Sequence, residues 1–179
     1  MTNPNVEFVL DTLASVAVVQ PTDHPLRRID RDTSTVYEGD QAVGMSGGTH
    51  NRTEDLTQSN LVGVASQSRE DTPLGQEYNV AVDDVLSVRV EGMTHREYGH
   101  IDPTGADGVG FDALCNRIRR ELYSERTYPQ HPRFRNAKLD LRITNTDYQS
   151  SDWSDYYRRE FDVVLRAREQ LLKTGNNFS

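Results

Sequence analysis

Lysine is scarce in this chain. Of its 20 basic residues, only Lys138 and Lys173 are lysines, and the others are arginines. Against them stand 28 acidic residues, a formal net charge of -8. A surface of that sign repels phosphate at long range, which disfavours generic nucleic-acid binding. Scarce lysine with abundant acid suits a protein kept hydrated in concentrated salt. There the Debye length falls to about 3 Å at 1 M, and like charges are tolerated. A GC-rich genome that favours arginine codons gives the same bias without salt, so both origins stay open. Cysteine is almost missing too. With Cys115 alone, no internal disulfide can form. Long apolar runs are absent, which excludes a helical bilayer span. Met1–Val6 has no basic stretch and no long apolar run follows, so no secretory signal is expected.

The familiar signatures of chemistry are missing as well. There is no G-x-S-x-G, no G-x-x-x-x-G-K and no G-x-G-x-x-G. Gly105–Gly110 precedes a helix, but it carries acid and no lysine, a poor cradle for phosphate. His95, His100 and Asp102 have metal-ligand chemistry. Their spacing places the histidines on opposite faces of an extended strand, and no third nitrogen or sulfur ligand is evident, so a polar loop is the simpler reading. Asp102, Asp107 and Asp112 recur every five residues without the alternating ligands and closing Glu of a calcium loop. Asn51-Arg52-Thr53 fits a glycosylation sequon, idle without secretion. The expectation is therefore a protein without catalysis, cofactor or metal.

What is present is periodicity. Hydrophobic content is 35% in 179 residues, enough for one small core with long polar loops. Asn3-Pro4 marks a helix start, followed by an apolar face of Val6, Val9, Leu10, Leu13 and Val16 or Ala17. Pro21 and Pro25 end it. A short strand is expected over about 27–36. The glycine-rich, polar stretch at about 38–54 predicts a long loop. Leu61, Val62, Val64 and Ala65 predict a strand, with 68–75 as a turn region broken at Thr72-Pro73. Tyr78, Val80 and Val82 alternate, and Leu86, Val88 and Val90 alternate after Asp83-Asp84, where a bulge is expected. Phe111, Leu114, Cys115, Ile118 and Leu122 fall at helical spacing, with Asp112 in the first turn facing the helix dipole. On that face Cys115 reads as a small buried hydrophobe. Leu139, Leu141 and Ile143, then Tyr157, Arg159, Phe161, Val163 and Leu165, predict a closing hairpin. Residues 174–179 predict a frayed tail. The fold class is α+β: a small, mostly antiparallel sheet on one main helix plus an N-terminal helix, all in a single domain spanning 1–179.

Two residue groups stand out as interaction candidates. Arg119, Arg126 and Arg133 belong to a basic run along the main helix and its exit. Pairing with Glu121 and Glu125 and with the helix dipole explains that run without a partner; an interface explains it equally, since arginine is enriched where proteins meet. Tyr148, Trp153 and Tyr156 form an aromatic cluster around the last hairpin. It serves either as edge packing or as a partner-binding patch.

The order of elements, with Tyr148, an acidic and serine-rich turn, Trp153 and the alternating strand 156–167 at the end, resembles the tail-terminator (tail-completion) proteins of long-tailed phages. The resemblance spans roughly residues 60–169, with the Val6–Ala17 helix leading. The 38–54 loop is longer than the family pattern. The resemblance implies a virion protein, a ring oligomer and usually a hexamer, on the head-proximal end of the tail tube. It implies neighbours in the tail tube protein and a head-tail connector protein, with DNA passing through the channel unrecognised and no membrane. With the lysine scarcity, the implied source is a virus of a halophilic archaeon. Two alternatives remain: another neck component (head-closure or connector), or a halophilic enzyme or ligand-binding domain using the His95–Asp102 loop.

Overall fold

The computed structural model describes residues 3–18, 26–38, 41–43, 59–75, 79–93, 110–126, 138–147 and 156–170. Helix α1 spans Pro4–Thr12 and continues through Leu13 into a short α2, Ala14–Val18. It starts where the sequence says it should. The Asn3 side chain accepts the Asn5 N–H at 2.9 Å, and Pro4 fills a position whose N–H would have no helical partner. Val6, Val9, Leu10, Leu13, Val16 and Ala17 are all buried, so the expected apolar face is the real one.

Among the described residues, seven strands form one sheet in the order β3-β2-β1-β4-β5-β7-β6. They are β1 (Leu26–Asp30), β2 (Thr35–Glu38), β3 (Gln41–Val43), β4 (Asn60–Pro73), β5 (Asn79–Met93), β6 (Lys138–Asp147) and β7 (Tyr156–Gln170). Every pairing is antiparallel except β1 with β4. The main helix, α3, runs Phe111–Ser124 and buries Phe111, Leu114, Cys115, Ile118 and Leu122, as its spacing predicts. The described helices pack into one core against the sheet. They share it with Leu26, Val62, Val64, Leu86, Val88, Val90, Leu141, Phe161, Val163 and Leu165. The fold is α+β. No helix among the described residues is long and apolar enough to cross a membrane.

Four expectations need correction. The single strand at 27–36 is two strands around a turn at Arg31–Ser34. Asp30, fully buried, folds that turn by accepting the N–H groups of Asp32 (2.9 Å) and Thr33 (3.1 Å). The polar stretch at 38–54 is not all loop, because Gln41–Val43 pairs with β2; its remainder from residue 44 lies outside the described residues. The turn region at 68–75 is strand as far as Pro73. Finally, the bulge sits in β4, between Ser66 and Ser68, and not at Asp83-Asp84. Burial alternates without interruption along β5, through Val80, Val82, Asp84, Leu86, Val88 and Val90. Asp84 keeps the inward phase because the Asn5 side-chain amide donates to it.

Gly63 has a specific role in β4. A Cβ there would stand 2.7 Å from the Arg31 side chain, so only glycine lets that chain lie across the sheet.

Candidate interaction surface

Of the six residues singled out above, Tyr148, Trp153 and Arg133 lie outside the described residues, as do His95, His100 and Asp102. Tyr156 opens β7 opposite Met93, and its side chain is not among those described. Arg119 is half-buried on α3, and Arg126 is exposed just beyond the helix end. The Arg126 N–H donates to the Tyr123 carbonyl at 3.2 Å, and its own carbonyl accepts the Leu141 N–H at 2.9 Å. That last bond ties the helix exit to β6. Tyr123 lies between the two arginines in sequence and is 39% exposed, one of two large hydrophobic side chains in the open among the described residues. Arg119 and Tyr123 are four apart, so they neighbour each other on the helix surface. The structure thus places Tyr123 beside two predicted residues, a member the apolar spacing alone passes over.

The N-terminus of α3 is pinned to β7. Arg159 lies 5.7 Å from the Phe111 ring centroid and pairs with Asp112 at 2.6 Å. The Phe111 and Tyr157 rings stand 5.6 Å apart. Beneath them burial pushes the Cys115 thiol up to about 12, so it stays protonated at neutral pH. That is the chemistry of a packed hydrophobe, as expected, and not of a nucleophile.

The sheet face away from the helices carries a charge ladder. The register sets Asp83 opposite Arg166, Arg89 opposite Glu160 and Glu91 opposite Arg158. The Arg166 guanidinium grips Asp83 with two hydrogen bonds, at 2.7 and 2.6 Å, which hold that carboxyl below its ordinary range. Glu160 takes hydrogen bonds from both Arg89 and Arg158. Burial works against its charge, yet those bonds leave its pKa lowered. Arg31 joins this group, and its pKa is lowered by burial and then by Arg89. Ladders of this kind hold strands in register through alternating charge. Among the described residues no group of three His, Cys, Asp or Glu could hold a metal ion.

One part of the sheet is unlike the rest. From Ser66 to Pro73 every residue of β4 is exposed, although β5 pairs with it throughout. β1 pairs with β4 only over Asn60–Val64, so beyond the bulge no described strand lies on the outer side of β4. β5 and β7 run alongside for its full length, from Asn79 opposite Gln170 onward. The result is an arm that presents an open β-edge, with Leu74, 38% exposed, just past its end. No apolar alternation marks these residues as a strand in the sequence, where 68–75 reads as a turn region.

The chain matches no protein-family model and no curated protein. Among solved structures it is similar to a chain of the virion of a native gene transfer agent particle. The TM-score is 0.35 and the identity 12%, over 61% of this chain and 69% of that one. At that level the likeness carries no argument about function.

Proposed function

We propose that this chain is a structural virion protein. Its copies form a ring at the head-proximal end of a viral tail tube, stop tube growth and join tail to head. The observation that favours this reading is the arm: β4 runs on past its last contact with β1, and among the described residues no strand covers that edge. An open edge is an aggregation hazard that proteins otherwise cover, so an edge kept exposed suits a subunit built to meet others. The ionic groups described fit the same reading, since they are spent on holding strands and helix ends together. Identical subunits close into a ring when each contact repeats through a suitable rotation. A ring with this net charge would let DNA pass without adhering. The proposed neighbours are the tail tube protein and a head-tail connector protein, and the proposed location is the tail or neck of the virion.

Native mass spectrometry in high salt, with electron micrographs of the same sample, tests this. The expected result is an annular oligomer, usually of six copies in proteins of this kind. Single chains at every concentration would overturn it. Trp153→Ala should then reduce annular particles while leaving the melting temperature near that of the wild type.

A further inference from the structure

We propose that the open edge of β4 pairs with the same edge of a second copy, antiparallel and about a two-fold axis at Glu70. The argument begins with the phase of the backbone. The Leu74 N–H donates to the Asn79 carbonyl at 2.8 Å. The register from Ser68 to Pro73 is unbroken. Backbone groups alternate sides along a strand, so those of Thr72, Glu70 and Ser68 also face β5. Those of Arg69, Asp71 and Pro73 face the open side. Pro73 fits this phase, because a missing N–H costs nothing where no ladder bond is made to β5. Before the bulge the phase is opposite: the Val64 carbonyl faces the β1 side, where it accepts the Arg31 N–H at 2.8 Å.

Two such edges meet in register when Arg69 of one copy stands opposite Asp71 of the other. Both residues then lie in the outward phase, so each of the two pairs exchanges two backbone hydrogen bonds. Their side chains project on the helix side of the sheet, the phase they share with Val82 and Asp84. There Arg69 and Asp71 already form an ion pair at 2.9 Å and are 45% and 47% exposed. Across the axis the same two residues meet again as opposite charges, twice. Two opposite-charge pairs thus flank one like-charge pair, the two Glu70 side chains at the axis, whose repulsion the flanking pairs and the four backbone hydrogen bonds must outweigh. This contact uses the open edge on which the assembly reading rests, but it is isologous and cannot close a ring, so other surfaces must make the ring contacts. By itself it makes dimers, and if rings exist it joins one ring to another through their arms.

Glu70 provides a direct test. It would stand opposite its own copy as a pair without mutual backbone bonds, with Cα atoms about 4.5 Å apart. That is within disulfide reach, so Glu70→Cys should form covalent dimers when oxidised glutathione accepts the electrons. Thr72→Cys, four residues from its copy, should not. Cys115 is buried and does not compete. Charge reversal gives a second readout by sedimentation. Arg69→Asp and Asp71→Arg each put like charges across the axis and should raise the dimer dissociation constant roughly tenfold or more. Mixing the two variants, or combining both changes in one chain, restores opposite charges and should restore the dimer. An unchanged melting temperature shows that the variants are folded. Equal crosslinking at Glu70→Cys and Thr72→Cys, or an assembly indifferent to both reversals, overturns the proposal. Loss of rings with paired edges intact would overturn the ring and leave this contact standing. If rings form, Arg69→Asp should halve the particle mass.

Discussion

The two halves of β4 belong to one strand and live in different surroundings. Asn60–Val64 reads Asn-Leu-Val-Gly-Val, is buried throughout, and has β1 on one side and β5 on the other. Ser66–Pro73 reads Ser-Gln-Ser-Arg-Glu-Asp-Thr-Pro and is exposed throughout, with β5 on one side. The backbone ladder to β5 is equally continuous in both, apart from the bulge. A strand can therefore be polar on both faces if its neighbour supplies the apolar side chains. Here β5 does so with Val80 and Val82, both buried. The bulge between the halves is pinned from outside. Asp32 accepts the Ser66 N–H at 3.0 Å and its hydroxyl at 2.7 Å, and the Asn3 amide donates to the same hydroxyl at 2.7 Å. Thus the N-cap of α1 and the β1–β2 turn both fix the point where the strand leaves the body.

Substitutions should separate the halves by size of effect. The largest belongs to the body. Ile118→Ala removes a fully buried side chain beneath α3 and should cost about 2–5 kcal/mol. A chemical-denaturation midpoint unchanged from wild type would show that this helix face is not the core. Next comes the junction. Asn5→Ala withdraws an amide donor from the buried Asp84 carboxylate and should cost about 1–3 kcal/mol. If the cost falls below the error of the melt, the Asn5 link does not hold α1 to β5. Within the arm, Glu70→Ala should change stability by no more than about 0.5 kcal/mol, because the side chain is exposed. A loss comparable to Ile118→Ala would mean the arm is part of the core.

The same contrast explains what could be read from the sequence. The N-terminal helical run, α3 and strands β5, β6 and β7 are legible because each has an apolar face of regular period. Cys115 is legible for the same reason. The arm is not. Its strand character comes from pairing with β5, a long-range fact that local propensity does not encode, and Thr72-Pro73 looks like a breaker unless one knows that Pro73 faces away from the ladder. The bulge was expected one strand away from its true place. Asp83-Asp84 looks like an interruption, yet Asp83 points outward to Arg166 and Asp84 inward to Asn5. Two adjacent acids with opposite partners keep the alternation that their composition conceals. Of the interaction candidates, Arg119 lies on α3 and Arg126 just beyond its end. Tyr123 joins them because helical spacing sets it beside Arg119, and that geometry was already present in the sequence.

The effect most specific to the arm is electrostatic. Asp83 and Arg166 pair on the outer face at the height where β4 is exposed, their side chains 27% and 39% exposed. The hydrogen bonds from Arg166 lower the Asp83 pKa in the folded chain. The folded state thus takes up a proton less readily than the unfolded chain, whose aspartates titrate near about 3.9. The pair's contribution is present above that value and is lost as pH falls through the lower, folded one. At neutral pH, Asp83→Asn should cost only about 0.2–1 kcal/mol, since water screens a pair this open. The deficit of the variant should stay constant from neutral pH down to about 5 and shrink below about 4, as Asp83 of the unfolded chain and then, at lower pH, that of the folded one take up a proton. Glu160, also lowered, leaves acid sensitivity in both proteins, so the readout is the difference between them and not either curve alone. A deficit unchanged between pH 7 and pH 3 would show that the charge of Asp83 does not hold the arm. Register there would then rest on the backbone ladder, as it does along the unaccompanied edge of β4.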